Sequence, residues 1–278
     1  MFNNFEKKML LDLFHLYAPS NKEEPVLEFI KKVLIDNNIP FRQDDKGNIY
    51  CLNYKNEPLL SAHTDCVGTA ESGYYVNLID IYPYGDDEIM KGIGNIGGDD
   101  KCGVFLILLY LISHRPINAV FSICEEIGGY DGITHLLEII KDNEVFKSIP
   151  YCLVLDRKFN SNIICQKNGY GSEAFDKALS EVGKKFGYSS VLGGCSDMNK
   201  IKEYMNGCNL SVGYYNPHSV TEYVSLNDLF NVWNYINAII KDLPRNIPFE
   251  KPISSYTPIT HCYRNKYSVN GVDYYDYT

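Results

Sequence analysis

From about Asp100 to Leu243 the chain alternates helix-like and strand-like segments with hardly a break, and that alternation most constrains its fold. A helix from about Asp100 to Ser113 is followed by the strand "INAVFSICEE", a helix around Ile133 to Lys141, and the strands "YCLVLD" and "NIICQKN". Then come a helix in "SEAFDKALSEVGKKFG", a strand in "SSVLGG", a short helix over Asp197 to Tyr204, the strand "NLSVGYY" and the long helix "SLNDLFNVWNYINAIIKDL". Segments of these lengths in this order predict a three-layer, doubly wound α/β fold, with a mainly parallel sheet covered by helices on both faces. The apolar run "VFLILLYLI", Val104 to Ile112, is far short of the ~20 residues that cross a bilayer and reads as a helix buried on most sides.

Ahead of this block, Val26, Ile30, Val33 and Leu34 mark one face of a helix behind a Ser20/Asn21 start signal. "FRQDDKGNIYCLN" reads as two strands about a polar turn, "PLLSAHTD" as a short buried strand, and "YYVNLIDIYPYGDDEIMKGI" as a strand pair. Nothing resembles a linker, so residues 1–247 are expected to form one domain. Residues 248–278 are a tyrosine-rich tail, and Asn270-Gly271 between Val269 and Val272 predicts a β-hairpin packed on its own domain.

A formal charge of −9 and the absence of a basic stripe argue against a nucleic-acid partner. Nine cysteines without CxxC pairs read as reduced core residues. With no signal-peptide pattern in "MFNNFEKKMLLDLF", the expectation is a cytoplasmic protein with no membrane partner.

In open α/β sheets ligands bind at the carboxyl ends of strands, and there the sequence places an unusual set of side chains. "PLLSAHTD" ends on His63 and Asp65, "NAVFSICEE" on Glu125 and Glu126, "YCLVLD" on Asp156, and "LSVGYYNPH" on His218, while "GGDDK" adds Asp99, Asp100 and Lys101 before the buried helix. Each alone has an ordinary explanation, such as a helix cap or a solvated acid. Together, converging carboxylates without matching basic residues repel one another, and a bound cation resolves this; histidine nitrogen with carboxylate oxygen suits zinc, with manganese or cobalt as alternatives. His15, His114, His135 and His261 lie in or beside helices or in the tail and are set aside.

Taken in order, "SAHTDCV", "GGDDKCGV", "CEEIGG", "VLDR" and "GYYNPHSVTEYV" resemble the co-catalytic di-zinc exopeptidases, especially peptidase T and its aminoacylase and carboxypeptidase relatives. "GGCSD", Gly193 to Asp197, is similar to a glycine-rich segment of the peptidase T branch. The resemblance implies two zinc ions, one held by His63, Asp99 and Asp156 and the other by Asp99, Glu126 and His218, with Asp99 bridging. It implies that Asp65 orients the His63 imidazole and that Glu125 is the general base. Two metals about 3.5–4 Å apart lower the pKa of a shared water and polarise a scissile carbonyl, so the implied reaction is hydrolysis of a short peptide near its end, as in an aminopeptidase.

Relatives of the peptidase T type insert a lid or dimerisation domain between the positions of Asp156 and His218, and here predicted core elements fill that interval. The missing lid leaves the oxyanion-stabilising group open, with Tyr214 or Tyr215 as a substitute. The alternatives are a deacylase or carboxypeptidase on the same scaffold, a non-catalytic metal-binding module, and an NAD-binding oxidoreductase, the last suggested by Gly92-x-Gly94-x-x-Gly97. Asp99 and Asp100 would oppose a pyrophosphate at that helix start. Oligomeric state is not legible.

Overall fold

The structure is a computed structural model that describes residues 1–67, 78–128 and 130–250, with the backbone of 265–269 and 272–276. The chain opens with helices α1 (Asn4–Phe14) and α2 (Glu24–Asp36), then strands β1 (Arg42–Gln43), β2 (Ile49–Cys51), β3 (Leu59–His63), β4 (Asp80–Tyr84) and β5 (Asp87–Lys91). Helix α3 (Gly98–Ile112), β6 (Asn118–Ser122), α4 (Asp131–Ile140), β7 (Tyr151–Arg157), β8 (Asn162–Ile164), α5 (Glu173–Gly183), β9 (Ser189–Val191) and α6 (Met198–Ile201) follow. The chain continues through β10 (Asn206–Ser211), β11 (Tyr214–Tyr215), β12 (Tyr223–Ser225) and α7 (Leu226–Asp242) to β13 (Asn265–Val269) and β14 (Val272–Asp276).

Eight strands form one mixed sheet in the order β1-β2-β6-β3-β7-β10-β8-β9, and its central four, β6, β3, β7 and β10, run parallel. Their side chains are buried on both faces, as the apolar runs of β3, β6 and β7 require, while in β10 the buried Asn206, Asn209 and Ser211 are hydrogen-bonded. One core cluster joins α1, α2, α3, α5 and α7 to one face, and the other packs α4 and α6 on the opposite face. This is the expected three-layer α/β domain. Within α3 every residue from Asp100 to Leu111 is buried, which accounts for its unbroken apolar run.

Strand β3 lies between β6 and β7, so the connection from β6 through α4 to β7 passes over it. That reversal of winding opens a crevice at the carboxyl ends of the three strands.

Several expectations need correction. "NLSVGYY" is two strands, because Gly213 turns the chain at φ 87°, where a side chain would crowd the Leu229 amide at 2.8 Å. Strand β11 thus joins β12, β5 and β4 in a separate four-stranded antiparallel sheet. Strand β6 ends at Ser122 instead of running to Glu126, and Cys124, at φ 56°, starts a turn. Among the described residues seven cysteines are free and buried, but Cys195, half-buried, is disulfide-bonded rather than reduced.

Between Asp156 and His218 the chain is occupied by β8, α5, β9, α6, β10 and β11, all within the body of the fold, with no inserted lid. In the tail, β13 and β14 pair antiparallel with Val269 opposite Val272; the Asn270-Gly271 turn and the packing of the tail lie outside the described residues, as do Tyr74 to Asn77 of the expected first strand of the 74–93 pair. No described helix is long and apolar enough to cross a membrane.

Candidate metal centre

The crevice gathers the sequence-predicted side chains from five separate stretches. His63 ends β3, Asp156 lies at the end of β7, Asp99 stands at the entrance to α3, Glu126 lies in the turn after β6, and His218 sits between β11 and β12. Two groups of potential metal ligands result, His63 with Asp99 and Asp156, and Asp99 with Glu126 and His218, each with ligand atoms within 4.8 Å of one another. Asp99 belongs to both: its Oδ1 is 3.1 Å from His63 Nε2 and its Oδ2 is 3.4 Å from His218 Nε2. Glu126 Oε1 lies 3.0 Å from His218 Nε2, and Asp156 Oδ1 lies 3.7 Å from His63 Nε2.

Asp65 is buried behind this set. Its Oδ1 is 3.3 Å from His63 Nδ1, and its two oxygens accept the backbone N–H groups of Glu125 and Glu126 at 3.0 and 3.1 Å. Ser20 Oγ donates to it at 2.6 Å. One carboxylate therefore fixes both an imidazole and the turn that aims the adjacent glutamates. Glu125 lines the pocket with a carboxylate that accepts no hydrogen bond among the described residues.

The electrostatics fit a cation. Among the described residues the ion-pair partners of Asp99, Glu126 and Asp156 are the two imidazoles alone. Burial, then the Asp156 and Glu126 charges, pushes Glu125 well above the usual carboxylate range, and burial with the nearby Asp99 does the same to Asp156. Burial acts to raise Asp99 too, but hydrogen bonds from His218 and His63 hold it far below its ordinary value. Both histidines are pushed up against the effect of their own burial, His63 by its Asp156, Asp65 and Asp99 contacts and His218 by Glu126 and Asp99. Imidazole nitrogens and carboxylate oxygens converging with excess negative charge are a donor set that suits a divalent metal ion.

Asp100 and Lys101 face away. The Asp99-Asp100 peptide is cis, and Asp100 accepts the His63 amide at 3.2 Å and the Gly103 amide at 3.0 Å. Lys101 Nζ reaches the Leu16 carbonyl at 2.6 Å. A third His/Asp group, Asp44, Asp45 and His135, lies at the turn between β1 and β2, where Asp44 accepts the amides of its own turn.

Sequence reasoning missed Glu222, which is 2% exposed. Its Oε2 accepts the amides of Ile96 and Gly97 at 2.8 and 2.9 Å, and its Oε1 those of Gly98 and Asp99 at 2.9 and 3.4 Å. It clamps the glycine-rich loop that presents Asp99. The amides a dinucleotide pyrophosphate would need are thereby taken, which counts against an NAD-binding reading of Gly92 to Gly97. A second missed residue is Asp197, buried and hydrogen-bonded by Ser122 Oγ at the end of β6. Tyr214 Oη donates to Asp156 Oδ1 at 3.4 Å and lines the pocket, whereas Tyr215 Oη donates to Asp228 at 2.6 Å.

No protein-family model and no curated protein sequence matches the chain. Its structure is similar to a tripeptidase from Staphylococcus aureus, with TM-score 0.68 at 15% identity over 87% of this chain and 98% of that one. It is similar to a TET aminopeptidase from a marine sediment archaeon of the Thaumarchaeota, with TM-score 0.66 at 12% identity over 86% and 98%. An aminopeptidase from the archaeon Desulfurococcus kamchatkensis gives TM-score 0.64 at 14% identity over 87% and 96%. The chain shares the fold of these peptidases.

Proposed function

We propose that the protein is a metal-dependent exopeptidase, an aminopeptidase acting on short peptides with two zinc ions. The observation that carries this reading is the Asp99 carboxylate, which offers one oxygen to the His63 side and the other to the His218 side. His63, Asp99 and Asp156 would hold one ion, and Asp99, Glu126 and His218 the other. The fold shared with aminopeptidases and a tripeptidase supports the reading.

When bound, such a metal pair supplies Lewis acidity, which acidifies a water molecule and polarises the scissile carbonyl. The chain's own part falls to Glu125, whose buried carboxylate is held on the turn that Asp65 fixes and is not engaged by either histidine. Its raised proton affinity suits a group that takes a proton from the attacking water and delivers it to the leaving amine. Asp65 keeps the His63 ring oriented, and Tyr214 Oη, beside Asp156, is placed to donate to the developing oxyanion.

Zinc-loaded protein should cleave free-amine peptides and leave N-acylated analogues intact, measured on a panel that includes C-terminally blocked substrates. Selective cleavage of the N-acylated members would turn the reading to a deacylase, dependence on a free C-terminus to a carboxypeptidase, and no turnover of any member, with zinc bound, to a non-catalytic metal-binding module. The interior of the cell is the proposed site of action.

A further inference from the structure

The residue after Asp156 is a second kind of group at the same crevice. Arg157 and Lys158 line the pocket beside Asp99, Glu125, Glu126 and Asp156. The Arg157 backbone is fixed at the end of β7, opposite Ser211, with its carbonyl accepting the Val212 amide at 2.8 Å. Its side chain has no such anchorage. Nε is shut off from solvent with no hydrogen-bond partner, and among the described residues the guanidinium makes no hydrogen bond or ion pair, although four carboxylates line the same pocket.

Arg245 is the contrast, with its guanidinium committed to the Tyr151 hydroxyl, the Glu57 carboxylate and the Leu243 and Ile240 carbonyls. A half-buried guanidinium with five donors and a planar fork is costly to leave unpaired. Burial, then the Asp99, Asp156 and Asp100 charges, pushes the Tyr214 hydroxyl well above its ordinary value, and the Arg157 charge acts against that rise, which places it close to the same crevice. The Lys158 ammonium, 5.4 Å from the centre of the Phe159 ring, adds a second cation in a chain whose formal charge is −9.

Resting on the exopeptidase reading, we infer that Arg157 is a specificity residue that binds a carboxylate of the peptide substrate. Two carboxylates qualify: the C-terminal group of a short peptide, which would limit substrate length without a lid, and the side chain of an aspartate or glutamate. Arginine's fork matches either in bidentate fashion, and the pair of hydrogen bonds is charge-assisted.

The test is calorimetric titration of zinc-loaded Glu125→Gln protein, with Arg157 intact or as Arg157→Leu, using Leu-Gly-Gly, Leu-Gly-Gly amide and Glu-Gly-Gly amide. Zinc content is measured for each preparation, and Arg157→Gln replaces the leucine variant if that variant takes up no metal. At least one carboxylate-bearing ligand should bind about tenfold or more tightly than Leu-Gly-Gly amide, and the preference should vanish on substitution while binding of the amide stays unchanged. A preference for Leu-Gly-Gly identifies the C-terminal carboxylate, and one for Glu-Gly-Gly amide the side chain. Equal binding of all three ligands, a preference that survives substitution, or no binding of either carboxylate ligand overturns the inference. Turnover of the same peptides by the wild type is read separately, so its absence would remove the peptidase reading while the binding result stands.

Discussion

Glu125 and Glu126 are neighbours in the chain with different surroundings: Glu126 lies against His218, and the Glu125 carboxylate lines the pocket with no hydrogen bond among the described residues. Glu125→Gln should keep the fold and metal content and lower kcat by about 10²–10⁴-fold, read by steady-state kinetics beside elemental analysis. Asp197 gives a separate prediction for the metal-free protein. Burial raises its carboxyl to about 6, above the ordinary 3.8, so the stability carried by its protonated form is full below 3.8 and is lost as pH rises from there through 6. Asparagine suffers no such loss, so on going from pH 4.5 to 7 urea denaturation should show Asp197→Asn gaining roughly 2 kcal/mol relative to wild type. His63, Asp99, Glu126, Asp156 and His218 were legible as candidates because each falls where a predicted strand or helix meets a loop. Asp197 and Glu222 were not, since their partners are a serine hydroxyl and backbone amides that no side-chain spacing encodes.

Among the elements, the loop before α3 depends on a distant carboxylate more than on its own sequence. Helix α3 has no side-chain cap, and Glu222 takes that place by accepting four amides from Ile96 to Asp99. Glu222→Ala strands these buried N–H groups at about 1–3 kcal/mol each, so the variant should lose at least ~3 kcal/mol in urea denaturation and bind zinc more weakly. Unchanged stability and zinc affinity would show that the loop holds its shape unaided. Strands β3, β6 and β7 were readable because each carries its own apolar run. The four-stranded sheet was not, because its pairing of Tyr223–Ser225 with Ile89–Lys91 joins remote segments and its first strand continues β10 without a change in hydrophobicity.

For the whole molecule, the placement of β3 between β6 and β7 makes the crevice a property of topology, and the order of strands and helices was enough to anticipate it. What order alone left open was which acids face inward; Asp99 does, and Asp100 turns back to the His63 and Gly103 amides. Asp99→Ala should lower zinc from near two per chain to one or fewer by elemental analysis. Added zinc should raise the wild-type melting temperature as ligand linkage requires and barely move that of the variant. Equal zinc content and equal shifts would remove Asp99 from the metal centre.

The turn after β11 carries His218, which meets Asp99 and Glu126, and Glu222, which grips the loop on which Asp99 rides. Both are carried by this one turn. Swinging that turn outward would draw the His218 imidazole from one side of Asp99 and the Glu222 carboxylate from the backbone behind the other in a single movement. On the proposed two-metal reading, loss of the His218 contact and release of the loop that carries Asp99 would then be one event.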